Sequence, residues 1–310
     1  FRVAPGEDVD LSDYLTDWTE TNAAKKLGKR ELKKRAKKLL ESNRESLAEI
    51  QELVYASDSY SILIVLQAMD AAGKDGTIRH VMSGVNPQGC QVFSFKHPSA
   101  EELDHNFLWR YAKNLPERGR IGIFNRSYYE EVLVLKVHPD RINSKLPAAP
   151  RDEAFWRARY EDINHFERHL TRNGTLILKF FLHLSKEEQR QRFLDRLTDP
   201  EKQWKYSSSD LAERGHWDAY QQAYADALSA TSTEYAPWWV IPADRKYLAR
   251  AMVAEVVVRA VRGLKLAYPT VPESEQAALV EARKQLEKEG RAKPARTRTR
   301  STVRKRRPKK

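Results

Sequence analysis

Apolar residues recur at three- and four-residue steps between positions 29 and 56. Leu32, Ala36, Leu39, Leu40, Leu47, Ile50 and Val54 form one stripe, a spacing that predicts a long amphipathic helix. Lys33, Lys34, Lys37 and Lys38 fall on the opposite face and read as solvated. Beyond this helix the period changes. Short β-prone apolar runs stand at 61–66, 91–95, 121–124, 175–182 and 238–241, separated by longer amphipathic stretches. The alternation predicts βαβ units around a buried, five-stranded parallel sheet, a three-layer α/β sandwich. From 186 to 230 the chain is polar, aromatic and charged without a strand-like run. That stretch is expected to lie over the sheet as a helical lid. A last apolar helix is expected at 247–264, closed by Tyr268-Pro269. Residues 1–28 carry few periodic signals and should wrap the surface. The expected organisation is an extension plus long helix at 1–56, a central α/β domain at 57–268, and a tail at 269–310.

Composition changes this picture in two places. The net charge of +12 suggests a polyanion partner until it is located. Eleven Lys or Arg and no acidic residue lie between 291 and 310, so the rest of the chain carries about +1. The basic excess is a tail too charged to fold alone. It reads either as an arm for nucleic acid or polyphosphate, or as a solubilising appendage. Cys90 is the single cysteine, so no intrachain disulfide can form, which suits a reducing cytoplasm. No apolar run approaches the ~18–20 residues of a membrane span, and nothing reads as a signal peptide.

The strongest chemistry follows the first strand. Residues 61–66 run into Gln67-Ala68-Met69-Asp70-Ala71-Ala72-Gly73-Lys74-Asp75-Gly76-Thr77, and Ile78, Val81, Met82 and Val85 then keep helical spacing. Strand, small-residue turn, Gly-Lys and helix are the context of a phosphate-binding P-loop. Backbone N–H groups of Ala71, Ala72, Gly73, Asp75, Gly76 and Thr77 would cradle an anion, and the Lys74 ammonium would reach the transferring phosphates. Two positions depart from the usual GxxxxGK[ST] pattern. Ala68 replaces the first glycine, and Asp75 replaces the magnesium-binding hydroxyl residue. Asp70 adds a carboxylate beside phosphates, which is repulsive unless a cation intervenes. It is therefore a candidate Mg²⁺ ligand, with Mn²⁺ as an alternative ion, or a base for an incoming phosphate oxygen.

A second constellation follows the third strand. Asn125-Arg126-Ser127-Tyr128-Tyr129-Glu130-Glu131 would stand at a strand's carboxyl end, where ligands bind in open α/β sheets. Arg126 could clamp two phosphoryl oxygens. Glu130 or Glu131 could hold a metal through water, or simply complement a helix dipole. In the lid, Lys186, Arg190, Arg192, Arg196, Lys202, Lys205 and Arg214 could line one side of a polyanion groove. Asp195 and Glu201 interrupt the row, so internal pairing is the competing account. Arg79 and His80 could extend the basic lining. His165 and His169 lie four apart beside Phe166 and Leu170, and read as ordinary helix surface rather than a metal site.

Taken together, these segments resemble the second polyphosphate kinase family, a branch of P-loop kinases similar to thymidylate kinase. The resemblance covers roughly 30–265. It includes the loop 70–77, its continuation Gly84-Val85-Asn86-Pro87-Gln88-Gly89, Lys96-His97-Pro98 with Leu108-Trp109-Arg110, Asn125-Arg126-Ser127, and a lid module containing Gln203-Trp204-Lys205. It implies that Asp70 and Lys74 are required for transfer. The commoner second-strand motif is Asp-Arg-Ser; here Asn125 replaces the aspartate. That variant, followed by Glu130-Glu131, points to the family's third class and implies phosphorylation of both nucleoside monophosphates and diphosphates from polyphosphate. The expected assembly is a homo-oligomer. Competing readings are a nucleotide kinase with ATP as donor, and a nucleic-acid-binding protein on a degenerate P-loop scaffold.

Overall fold

In a computed structural model the structure describes residues 1–147 and 150–291, without the side chains of Lys205 and residues 290–291. Five strands, β1 (Ser61–Gln67), β2 (Cys90–Ser94), β3 (Ile121–Asn125), β4 (Thr175–His183) and β5 (Trp238–Pro242), form one sheet in the order β2-β3-β1-β4-β5. Every ladder in it is parallel. The helices that matter for the site are α1 (Lys29–Ser57), α2 (Lys74–Val81), α3 (Glu153–Arg172), α4 (Lys186–Thr198), α5 (Ser208–Gly215), α6 (Trp217–Thr231) and α7 (Lys246–Gly263). The expected three-layer sandwich is therefore present.

Alternation along β1 shows how the layers arise. Ile62, Ile64 and Leu66 face a core shared with Leu47 and Val54 of α1 and with Val253 and Val257 of α7. Leu63 and Val65 face the opposite core, with Trp156 and Ile163 of α3 and Tyr224 and Leu228 of α6. A strand buried on both faces must be apolar at nearly every position, and β1 is buried throughout. Lys179 is a fully buried charged exception on β4, and its partners are described below.

Two expectations change. Residues 1–28 do more than wrap the surface. Val3, Val9 and Leu11 are buried in the core, and the Val3 amide donates to the Trp238 carbonyl at 2.9 Å, so the segment joins β5 at the sheet edge. Residues Phe1–Tyr268 accordingly form one compact unit. In the long helix, Leu39 is exposed although its spacing fits the apolar stripe. The expected tail at 269–310 belongs to a second unit, beginning at Pro269. It contains a helix, α8 (Glu273–Arg291). Helix formers and an Arg283–Glu287 pair at 2.8 Å support it. The most basic stretch, 292–310, lies outside the described residues. Among the described residues no helix is long and apolar enough to cross a membrane.

Candidate active site

The carboxyl ends of β1 and β3 sit side by side, with Leu66 opposite Asn125. The phosphate loop and the Asn-Arg-Ser turn therefore leave the sheet at the same level. The loop needs two left-handed residues, Gly73 (φ 105°) and Ala71 (φ 62°), the second strained for a residue with a Cβ. Gly73 caps α2, and Thr77, buried, closes the first turn on the Gly73 carbonyl at 2.9 Å. The Lys74 ammonium curls back and donates to the Ala68 carbonyl at 2.8 Å. Burial pushes this ammonium below its ordinary pKa, and the nearby Asp70 opposes the shift.

Asn125 explains itself through Asp75. Its amide nitrogen donates to the Asp75 carboxylate at 2.6 Å and to Ser94 at 3.3 Å. An aspartate at 125 would set two carboxylates against each other here. Arg126 is also left-handed (φ 63°), and its amide donates to the Leu66 carbonyl at 3.1 Å. Its guanidinium reaches Asp70 at 3.2 Å and Glu130 at 4.0 Å. Glu130 accepts from the Gln67 amide at 3.1 Å. Burial raises the Glu130 carboxyl above its ordinary value, with Arg126 and Lys74 pulling the other way. Ser127 takes no part in this cluster. It is fully buried and caps the turn, accepting from the Tyr129 amide at 3.3 Å. Glu131 lines the same cavity beside different charges: burial raises it too, and its opposing charges are Arg159 and Arg110.

Beneath the turn lies a buried polar network. Lys179 donates to Glu167 at 2.6 Å, to Tyr129 at 2.8 Å and to the Thr231 carbonyl at 2.7 Å. Tyr128 and Tyr129 both donate to Glu167, at 2.8 and 2.9 Å. The ammonium thus uses all three donors, which is what allows a charge pair to be fully buried.

Asp70, Arg126, Glu130, Phe95 and Tyr224 open onto a cavity of about 570 Å³. Lys96, His97 and Arg110, residues of the middle motif, also line it. The lid cations are placed differently from the expected row. Arg192 is buried and donates to the carbonyls of Ala71, Ala72, Ala243 and Asp244, and to Glu188. Arg196 pairs with Asp210 at 3.1 Å, Lys202 with Asp199, and Arg214 donates to the Lys186 carbonyl and Gln189, both at 2.8 Å. Internal pairing, the competing account, describes these four. The Lys205 side chain lies outside the described part of the structure. Arg79 is exposed on α2 and does not line the cavity, and His165 and His169 are exposed on α3. Gln67 and Gln189, the latter donating to the Asp70 carbonyl at 3.0 Å, carry no sequence signal.

Among the described residues no group of three or more His, Cys, Asp or Glu could hold a metal alone. A hard ion that keeps water and substrate phosphates needs only one or two carboxylates. Asp70 and Glu130 offer these, and the buried Gln67 Oε1 beside them has no hydrogen-bond partner. The oxygen donor set fits Mg²⁺.

A parallel sheet in this order, with a loop lysine, a carboxylate and an arginine at the strand ends and a helical lid above, defines a P-loop kinase-like phosphotransferase. The sequence matches the family described as polyphosphate kinase 2 (PPK2) over residues 30–268, and the chain belongs to that family. It is 52% identical over 92% of its length to an ADP-polyphosphate phosphotransferase of Rhodopseudomonas palustris, of which it covers 97%. It is 47% identical over 76% of its length to an AMP/ADP-polyphosphate phosphotransferase of Meiothermus ruber, covering 84% of that protein. A crystal structure of polyphosphate kinase 2 from Arthrobacter aurescens superposes with a TM-score of 0.79 at 40% identity, covering 90% of this chain and 95% of that one.

Proposed function

We propose that this chain phosphorylates both AMP and ADP with polyphosphate as donor, reversibly, and that it works with Mg²⁺ in a reducing cytoplasm. The observation that carries the reading is the meeting of Lys74 with Asp70, Arg126 and Glu130, the last three of which line a cavity with aromatic walls. The cavity offers apolar surface for a nucleoside and charged groups for its phosphate.

In the forward direction a phosphate oxygen of the nucleotide attacks the terminal phosphorus of polyphosphate. The bond from that phosphorus to the bridging oxygen breaks, and the polymer leaves one phosphate shorter. Lys74 leaves its resting partner Ala68 to meet the charge that spreads over the transferring group. Arg126 spans donor and acceptor phosphates, and its pairs with Asp70 and Glu130 preset its direction. Asp70 orients the attacking oxygen and accepts its proton where it carries one. Asp70 and Glu130 would hold Mg²⁺, which supplies charge neutralisation between the two phosphate chains. Lid helices α4 and α5 keep water from competing as acceptor.

Incubation of the purified protein with AMP and polyphosphate in the absence of ATP tests this. ADP should appear first and ATP after it. No ADP under those conditions, with turnover restored by ATP, would establish the ATP-dependent reading instead. ADP use without AMP use would restrict the acceptor to diphosphates.

A further inference from the structure

The lid arginines and Lys202 are committed to protein acceptors, which leaves open what carries a long polyanion away from the loop. Three other cations are not committed. Arg79 on α2 and Lys246 and Arg250 on α7 make no hydrogen bond from their charged heads and no ion pair among the described residues. They gather around α2 nonetheless, because α7 packs against it. The Arg250 guanidinium lies 3.1 Å from where a Cβ on Gly76 would stand, in the first turn of α2. A side chain at 76 would displace it. Burial depresses Arg250, and the charges of Arg79 and Arg192 depress it further. Lys246 is likewise depressed by burial and then by Arg192, with Glu188 opposing. Like charges held this close repel one another, and a polyanion laid across them relieves that repulsion. None of the three lines the cavity that holds Asp70, Arg126 and Glu130.

We propose that Arg79, Lys246 and Arg250 form the seat of the polyphosphate chain beyond its reacting end, on the α2–α7 side of the loop. The nucleotide then enters from the cavity side. This rests on the polyphosphate reading above. It places donor and acceptor on opposite flanks of Lys74, the arrangement an in-line displacement requires.

The test is a steady-state titration of the Lys246→Ala/Arg250→Ala double variant with long-chain polyphosphate, and separately with ADP. Removing two cations from the seat should raise the KM for polyphosphate on the order of tenfold or more, while the KM for ADP moves less than twofold. Arg250→Lys, which keeps the charge, should recover most of the affinity. A Lys37→Ala/Lys38→Ala variant, losing the same charge from the exposed face of α1, should leave the polyphosphate KM near its original value. An unchanged polyphosphate KM in the α7 variant, an equal rise in the α1 variant, or a rise in the ADP KM instead would each overturn the assignment. Failure of the unmodified protein to use polyphosphate would sink the functional reading itself, and is read from the same plates.

Discussion

The Arg192 guanidinium donates to the Ala72 carbonyl at 2.8 Å, joining residues 120 positions apart in sequence. A second bond from the same nitrogen reaches the Ala71 carbonyl at 3.0 Å. In a trans peptide the carbonyl and the following N–H point in opposite directions. Fixing the Ala72 carbonyl against Arg192 therefore aims the Gly73 N–H away from it, toward the face where phosphate binds. The other terminal nitrogen ties the loop to the end of β5 through the carbonyls of Ala243, at 2.7 Å, and Asp244, at 3.1 Å. Arg192 thus shapes the anion cradle from behind.

Arg192→Lys is the informative substitution, since a lysine keeps the charge but cannot fork to four carbonyls. Each lost bond to a charged donor is worth about 1.5–3 kcal/mol. The variant should melt several degrees lower and lose roughly a hundredfold in kcat at temperatures far below its melt. Thermal unfolding and steady-state rates on one sample check both. A full kcat beside a lowered melting temperature would mean that the clamp serves only stability.

Legibility in the sequence depends on whether a residue's role is local. Lys74 and Asp70 announce themselves because strand, turn and helix are contiguous in the chain. Arg126 does so because a strand end follows from periodicity. The five strands are legible within a residue or two because β1 and β4 are buried on both faces. Arg192 is not, because in the sequence it reads only as one of a row of lid cations facing a polyanion groove or pairing internally, and nothing local shows the loop carbonyls it meets. Lys246 and Arg250 are invisible for the same reason, since α7 reaches α2 only in the fold. Ser127 belongs to the second-strand motif beside Arg126, yet in the fold it is fully buried and caps the turn. Val3 escapes notice because one strand-edge pairing leaves no period behind.

Asp70→Asn and Lys74→Ala should each abolish most transfer while leaving the fold intact. Asparagine preserves the shape of Asp70 and a contact to Arg126 but removes the negative charge, so kcat should fall by about 10²–10³ with polyphosphate binding kept. Lys74→Ala removes an ammonium from a half-buried site beside Arg126 and should cost at least as much. Circular dichroism establishes the fold, and ADP formation from AMP gives the rate. Either variant working within threefold of the original would contradict the assigned roles.

The acid side of the pH profile should belong to Glu130. Burial raises its carboxyl in the folded protein. As pH falls, it therefore takes up its proton earlier than an ordinary glutamate does, and loses its pairing with Arg126 there. Activity that needs the carboxylate is lost as pH falls through that raised value. Glu130→Gln should lower kcat/KM throughout and move the acid limb downward. The sign for stability is opposite. A raised carboxyl is a destabilising charge at neutral pH, because the folded state binds the proton more tightly than the unfolded one. The same variant should melt higher at pH 7 and show no gain at pH 4. A limb that stays in place would assign it to another group.

Glu213 tests the lid. It sits on α5 and accepts from His138 at 2.6 Å, Tyr220 at 2.7 Å and Arg141 at 3.1 Å. Burial pushes its carboxyl up, but the bonds from Tyr220, His138 and Arg141 outweigh burial and hold it below the ordinary value. A depressed carboxyl keeps its contribution above the unfolded pKa, so Glu213 stays ionised across the neutral range and the latch holds there. His138 and Arg141 belong to the segment between β3 and α3, so this carboxylate fastens α5 to the core beside the cavity. Glu213→Ala leaves three donors without their shared acceptor and should loosen α5 without touching Lys74 or Asp70. An open lid admits water as a rival acceptor. Transfer should fall about tenfold, and inorganic phosphate released per ADP formed should rise. Measuring both products in one reaction separates the cases: a fall in both together would make Glu213 a contributor to stability, and only a changed ratio makes it the fastening of the lid.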